Sequence, residues 1–216
     1  MAPPDTPRPR PSIESGPRPR KRPRQARARA TVTAILDATE QQLVAHGYDG
    51  TNTNNIARRA GVSVGTLYQY FPNKEAVVLA VAERHAERLA DLLVQHLTRA
   101  QDASLPDACA AFVRALLQAH ALAPELHSLL IEQVPRIAGT SPLRSYDEMF
   151  EAQVRAFLVE RRAEIDPPDL DLAVFILVHA VQAVTHAAVL MRPDALADEA
   201  LAEAVTALIL RFLRAG

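Results

Sequence analysis

The chain has 216 residues, 49% of them apolar, enough material to bury a sizeable core in one or two domains. Its single cysteine, Cys109, excludes an intramolecular disulfide and a cysteine-built metal site. The formal net charge of −1 hides an asymmetry: residues 1–30 hold nine Lys and Arg against Asp5 and Glu14, net +7, which leaves 15 bases and 23 acids, net −8, for the rest.

Eight of the 16 prolines fall in residues 1–25, among Arg8, Arg10, Arg18, Arg20, Lys21, Arg22 and Arg24. Residues 1–26 therefore read as a disordered basic arm, and no apolar segment follows to make it a secretory signal. After Gln25 helix formers dominate and no strand-like alternation occurs, so the body is expected to be all-α. A first helix is expected over Arg27–His46, with Val32, Ile35, Leu36, Thr39, Leu43 and Val44 on one face and Gly47 as its C-terminal cap. A second lies between Thr53 and Gly61, turning Ile56, Ala57 and Ala60 inward and Arg58 and Arg59 outward. Ser63 caps a third of about two turns, with Leu67 and Phe71 on the buried side. Pro72 and Asn73 end it and open a fourth helix running to about Gln101. Pro106, Pro124, Pro135, Pro142, Pro167 and Pro193 then set off helices near 106–121, 124–134, 143–163, 169–191 and 194–214, a helical bundle. The most apolar stretch, Leu172–Met191, is about long enough to cross a bilayer, but His179, Gln182, Thr185 and His186 interrupt it. It reads as a helix packed on both sides, and no membrane partner is expected.

The informative segment is TNTNNIARRAGVSVGTLYQYFPNK, residues 51–74. Two short helices joined by Ala60-Gly61-Val62-Ser63 make a helix-turn-helix, since Gly61 permits a left-handed turn and Ala60 a close approach. Gly65 removes a side chain where the backbone comes nearest a duplex, while Thr66, Gln69 and Tyr70 face away from Leu67 and Phe71. A recognition helix in a major groove needs hydrogen-bonding groups so placed. Thr51, Thr53, Tyr68 and Lys74 suit phosphate contacts. The candidate DNA-binding set is Thr51, Asn52, Thr53, Asn54, Ser63, Val64, Gly65, Thr66, Tyr68, Gln69, Tyr70 and Lys74, around a helix-turn-helix spanning Asn52–Phe71.

Over about residues 28–88 the chain resembles the TetR family of bacterial transcriptional regulators, through Ile56-Ala57, Ala60-Gly61-Val62-Ser63, Gly65-Thr66-Leu67-Tyr68, Tyr70-Phe71 and Lys74-Glu75. Asn54 and Asn55 stand where members often carry a charged residue. The resemblance implies a three-helix DNA-binding domain at 28–88 and an effector and dimerisation domain at 89–216. It further implies a cytoplasmic homodimer on a near-palindromic double-stranded DNA operator, released by a small-molecule effector. The alternatives are a regulator without a small-molecule ligand, constitutive or protein-docking, and an activator.

Apolar residues clothe the last two helices and suggest a four-helix dimer interface through Phe175, Val178, Val181, Val205, Leu208 and Phe212. A ligand pocket between the middle helices is expected to draw on His85, Leu89, Phe112, Leu116, His127, Phe150, Val154 and His179, with Leu92, Leu130, Phe157 and His186 also in reach. His120 and His127, and His179 and His186, are seven apart on shared faces. Neither pair has carboxylate or cysteine support, so neither a metal site nor a cofactor is expected. An enzyme is not expected either: GxSxG, HExxH and a phosphate-binding glycine loop are all missing, and no Gly lies between Gly65 and Gly139.

Overall fold

Short polar side chains set most of the helix starts. Asn52 Oδ1 accepts from Asn55 N at 2.9 Å, Ser63 Oγ from Thr66 N at 3.0 Å and Asn73 Oδ1 from Ala76 N at 2.8 Å. Ser104 Oγ and Asp169 Oδ1 do the same for Asp107 N and Leu172 N. Each covers an amide that a first helical turn leaves unpaired. The computed structural model describes residues 22–100, 102–138 and 144–214. Among these residues are nine α-helices and no strand: α1 (Arg22–Gly50), α2 (Thr53–Arg59), α3 (Val64–Tyr70), α4 (Lys74–Arg99), α5 (Leu105–Ala121), α6 (Pro124–Ala138), α7 (Arg144–Glu160), α8 (Leu170–Met191) and α9 (Glu199–Leu213).

Several boundaries differ from expectation, each for a local reason. Helix α1 starts at Arg22, so residues 22–26 are helical; the rest of the expected arm, residues 1–21, lies outside the described residues. Gly47 breaks the first helix where expected, at φ 67° and ψ −177°, a region open essentially to glycine alone, and a short helical piece carries α1 on to Gly50 beyond that kink. Pro135 sits inside α6, which continues to Ala138 without the ladder hydrogen bond that a proline nitrogen cannot donate. The expected 194–214 helix is two pieces, a 3₁₀ turn Pro193–Ala197 and α9, because Asp198 is extended and caps α9 through Ala200 N at 2.9 Å. Helix α7 stops at Glu160, ahead of a second 3₁₀ turn, Arg162–Glu164.

Two hydrophobic cores result. The first joins Ile35, Leu36 and Leu43 of α1, Ile56 and Ala57 of α2, Leu67 of α3 and Val77, Val78 and Val81 of α4 to Leu126, Leu130 and Val134 of α6. The second joins Leu93 of α4, Cys109, Val113 and Leu117 of α5 and Phe157 and Leu158 of α7 to the inner faces of α8 and α9. Helix α4 contributes to both, and α6 closes the first from below. Arg84 of α4 pins that helix to α1: Nη1 donates to Asp37 Oδ1 at 2.7 Å, and Nη2 lies 2.7 Å from Glu40 Oε1. Helix α8, apolar enough to cross a membrane by length and composition, packs here against α7 and α6.

A buried cation ties off the far end of α4. Arg161 is 6% exposed, and its guanidinium donates to Ala100 O at 3.0 Å and Ala103 O at 3.4 Å while stacking 3.9 Å from the Phe157 ring centroid. A cation on the last carbonyls of a helix complements its dipole. Arg161→Met keeps the stem and removes the charged donors, so unfolding free energy is expected to fall by about 2–4 kcal/mol. Urea denaturation followed by circular dichroism reads this, and an unchanged midpoint would show that these carbonyls do not depend on the arginine.

Candidate nucleic-acid interface and internal cavity

The turn between α2 and α3 closes as a Schellman motif. Val62 N donates to Ala57 O at 3.0 Å and Gly61 N to Arg58 O at 3.3 Å, with Gly61 at φ 67°. That geometry seats Leu67 at 0% exposure against Ile56 and Ala57, which fixes the opposite face of α3 outward. Gly65, Tyr68, Gln69 and Tyr70 are exposed, and Val64 and Thr66 are half-buried at its start.

Most of the candidate contact groups are held in place by neighbours. The Tyr68 phenol lies 3.2 Å from Thr53 Oγ1, linking α2 and α3 at the surface, and the Ser63 and Thr66 hydroxyls meet at 2.8 Å. Asn52 serves as the cap of α2, and Asn54 is exposed beside it. Arg58 Nη2 donates to Asn55 Oδ1 at 3.0 Å. Lys74 Nζ donates to Tyr48 O at 3.1 Å and sits 3.8 Å from the centre of the Tyr48 ring, whose hydroxyl in turn donates to Glu75 Oε1. Burial, followed by the charge of Glu75, pushes the Tyr48 phenol above its ordinary pKa. Thr51 corrects the sequence reading. It is 1% exposed and its hydroxyl donates to Gly47 O at 2.7 Å, so it secures the α1 kink and presents nothing to a phosphate. Arg27, within the Arg18–Arg29 stretch that the sequence offered for phosphate or minor-groove contacts, shares a groove with Thr31, Ser63, Thr66 and Tyr70.

Between α4 and helices α5 to α8 lies a cavity of about 430 Å³. Its wall is chiefly apolar, with Leu89, Leu93 and Leu97 on α4, Cys109, Phe112 and Leu116 on α5, Phe150 and Val154 on α7, and Val178 and Val181 on α8. The Phe112 and Phe150 rings stack with centroids 5.8 Å apart. Seven of the expected pocket residues, His85, Leu89, Phe112, Leu116, His127, Phe150 and Val154, border it, as do Leu130, Phe157 and His186. Leu92 and His179 do not. His179 lies on the outer face of α8, packed on Phe175 and 3.8 Å from Glu151 Oε1, because that helix turns residues 177, 178, 181 and 182 inward instead.

The same rotation corrects the expected dimer face. Val178 and Val181 border the cavity, Val205 is 5% exposed in the core and Phe212 is half-buried. Only Phe175 and Leu208 of that set are exposed, alongside Leu172 and Ile176.

One end of the cavity gathers four histidines from four helices, His85, His120, His127 and His186. His85 Nε2 and His127 Nδ1 are 2.7 Å apart, and His120 Nδ1 is 2.7 Å from Leu116 O. The His127 ring centroid is 4.4 Å from that of His120 and 5.2 Å from that of His186. Burial lowers all four below the ordinary histidine range, His85 and His186 to about 4 and His127 to about 2, so the imidazoles are neutral at neutral pH. Burial likewise pushes the Cys109 thiol up to about 11. Sequence spacing had placed His120 and His127 on one helix face, but they stand on separate helices, α5 and α6; His85, His127 and His186 were expected in the pocket, and His120 joins them there.

Comparison with known proteins agrees with this architecture. The family model "Bacterial regulatory proteins, tetR family" matches residues 35–81, and "Tetracyclin repressor-like, C-terminal domain" matches residues 104–213, over half of the chain. The repressor KstR of Rhodococcus jostii is 42% identical over 55 residues, 26% of this chain and 26% of KstR. The activator FasR of Mycolicibacterium smegmatis is 38% identical over 68 residues, 32% of this chain and 31% of FasR. These matches thus span about a third or less of each relative. A crystal structure from Mesorhizobium loti, described as a TetR-family transcriptional regulator, superposes with a TM-score of 0.72 at 21% identity, over 87% of this chain and 96% of that one. The helix-turn-helix, the bundle behind it and the two family models together place the chain in the TetR family of bacterial regulatory proteins, DNA-binding transcriptional regulators and not enzymes.

Proposed function

We propose that the protein is a cytoplasmic homodimeric repressor that leaves its DNA operator when a small, largely apolar ligand fills the cavity. Residues 28–88 serve as the DNA-binding domain and residues 89–216 as the ligand and dimerisation domain, with α6 reaching across that division. The observation that carries the reading is the position of the cavity. Its volume suits a small molecule, and two of its walls, α4 and α6, also close the core beneath the recognition helix. A ligand that favours a different spacing of α4 and α6 therefore also favours a different placement of α3.

In the dimer, Leu172, Phe175, Ile176 and Leu208 meet their symmetry mates. The exposed Ala183 and Ala187, further along the same face of α8, allow close helix approach. Two recognition helices then lie about 34 Å apart, one for each of two successive major grooves. Gln69 and Tyr70 read base edges, and Thr53, Tyr68 and Lys74 hold phosphates. Repression is favoured over activation because occupancy of the operator alone suffices for it. Footprinting on the gene's own upstream DNA tests the core of the reading, and protection without two-fold symmetry would count against it. So would an operator complex that no apolar or acidic cell metabolite loosens.

Three variants give sharper readouts. A Cβ at Gly65 meets only Ser63 Oγ, at 3.8 Å, so Gly65→Ala is expected to keep or slightly raise thermal stability while weakening operator binding about tenfold. Gln69→Ala is expected to cost about 1–3 kcal/mol on the operator and almost nothing on random DNA. Fluorescence anisotropy on both DNAs separates the two effects. Phe175→Asp is expected to yield folded monomer by light scattering and to abolish operator binding at concentrations where the parent saturates.

The basic arm adds sequence-independent affinity in this reading. Deleting residues 1–21 removes Arg8, Arg10, Arg18, Arg20 and Lys21 and leaves the described helices whole. The slope of log affinity against log salt is expected to flatten by about 0.9 for each phosphate that the arm neutralises in the parent. An unchanged slope would make the arm a solvated tail.

A further inference from the structure

The histidine cluster at the end of the cavity has the features of a ligand set. One candidate nitrogen from each of His120, His127 and His186 lies within 4.8 Å of the others. The three come from α5, α6 and α8, so their convergence is a product of the fold and not of local sequence.

Two of the rings are oriented as metal-binding imidazoles are. A ligating histidine nearly always donates its second ring N–H to an acceptor, which fixes the tautomer and aims the remaining lone pair. His120 Nδ1 faces Leu116 O at 2.7 Å, which leaves Nε2 as its lone-pair nitrogen. His127 Nδ1 faces His85 Nε2 at 2.7 Å, which leaves the His127 Nε2. That last atom is buried, in a residue 6% exposed, and has no hydrogen-bond partner among the described residues. A buried polar nitrogen left unpaired is destabilising, so something is expected to fill the position it faces.

We infer that His120, His127 and His186 form a binding site for a divalent transition-metal ion, zinc or a close neighbour, with His85 orienting His127 from behind. Three imidazoles without a carboxylate suit a borderline metal and disfavour magnesium or calcium, which require oxygen ligands. Zn–N bonds of about 2.0–2.1 Å call for a tighter grouping than the 4.8 Å that bounds the three nitrogens here, so a bound ion draws the three rings together. A cation held by three neutral rings also favours an anion at its fourth position, on the cavity side. That a ligand's carboxylate or thiolate takes this position rests on the effector reading above; the three-histidine site itself does not.

Metal uptake by the untagged full chain, without DNA, is the test. After chelator dialysis, calorimetric titration with zinc chloride is expected to give one ion per chain with submicromolar affinity. Cobalt(II) in its place is expected to show the intense visible bands of tetrahedral coordination. His127→Gln and the more accessible His186→Gln are each expected to weaken zinc binding at least about a hundredfold, and His85→Leu about ten- to a hundredfold. His179→Ala, on the outer face of α8, is expected to leave it unchanged. Circular dichroism confirms that each variant is folded. A full chain that takes up no zinc, or a folded His186→Gln that binds it as the parent does, would overturn the site. Zinc uptake that proceeds while no ligand loosens the operator complex would uphold the site and overturn only the release reading.

Discussion

Helix α4 must satisfy two hydrophobic cores at once, and the rest of the architecture follows from that constraint. Its first turns supply Val77, Val78 and Val81 to the core beneath the recognition helix, and its later turns supply Leu93 to the bundle. Between them His85, Ala86 and Leu89 face the cavity. A rigid rod fixed at one end by Asn73 and Lys74, at the other by Arg161, and bolted in the middle by Arg84 to Asp37 and Glu40 has little freedom to bend. In the proposed release, a ligand that displaces the cavity face of this helix also shifts the helix-turn-helix. Helix α6 doubles this linkage, because Leu126 and Val134 pack under α1 while His127 and Ile131 face inward.

The cavity is polarised along its length. Stacked Phe112 and Phe150, with Leu93 and Leu97, keep most of the wall apolar, Asp147 and Gln182 add polar groups to it, and the four histidines make one end capable of coordination or hydrogen bonding. Because those rings are neutral when buried, this pole offers lone pairs and N–H groups without fixed charge.

Local chemistry was legible in the sequence, and long-range convergence was not. Ser63 as a cap, Gly61 in the turn and Leu67 on the buried side all depend on neighbours within a few positions, where periodicity and capping rules operate. The same rules placed Thr51 at the start of α2, but its hydroxyl turns back to Gly47 O, which required knowing how the chain runs on past the break at Gly47. Helix α8 is apolar nearly all round, so its sequence could not say which side meets the core. Val178 and Val181 consequently stood in the expected dimer face and His179 in the expected pocket, the reverse of their positions in the fold. His85 and His186 are 101 positions apart in the chain, and only the packing of α4, α6 and α8 brings them to one end of the cavity.

Cys109 gives the cavity wall a further property. Cys109 is buried, and the loss of water around its sulfur, only partly offset by the nearby charges of Arg161 and Arg214, pushes the thiol up to about 11. A protonated thiol is a poor nucleophile, so burial keeps Cys109 less reactive toward electrophiles than an exposed thiol would be.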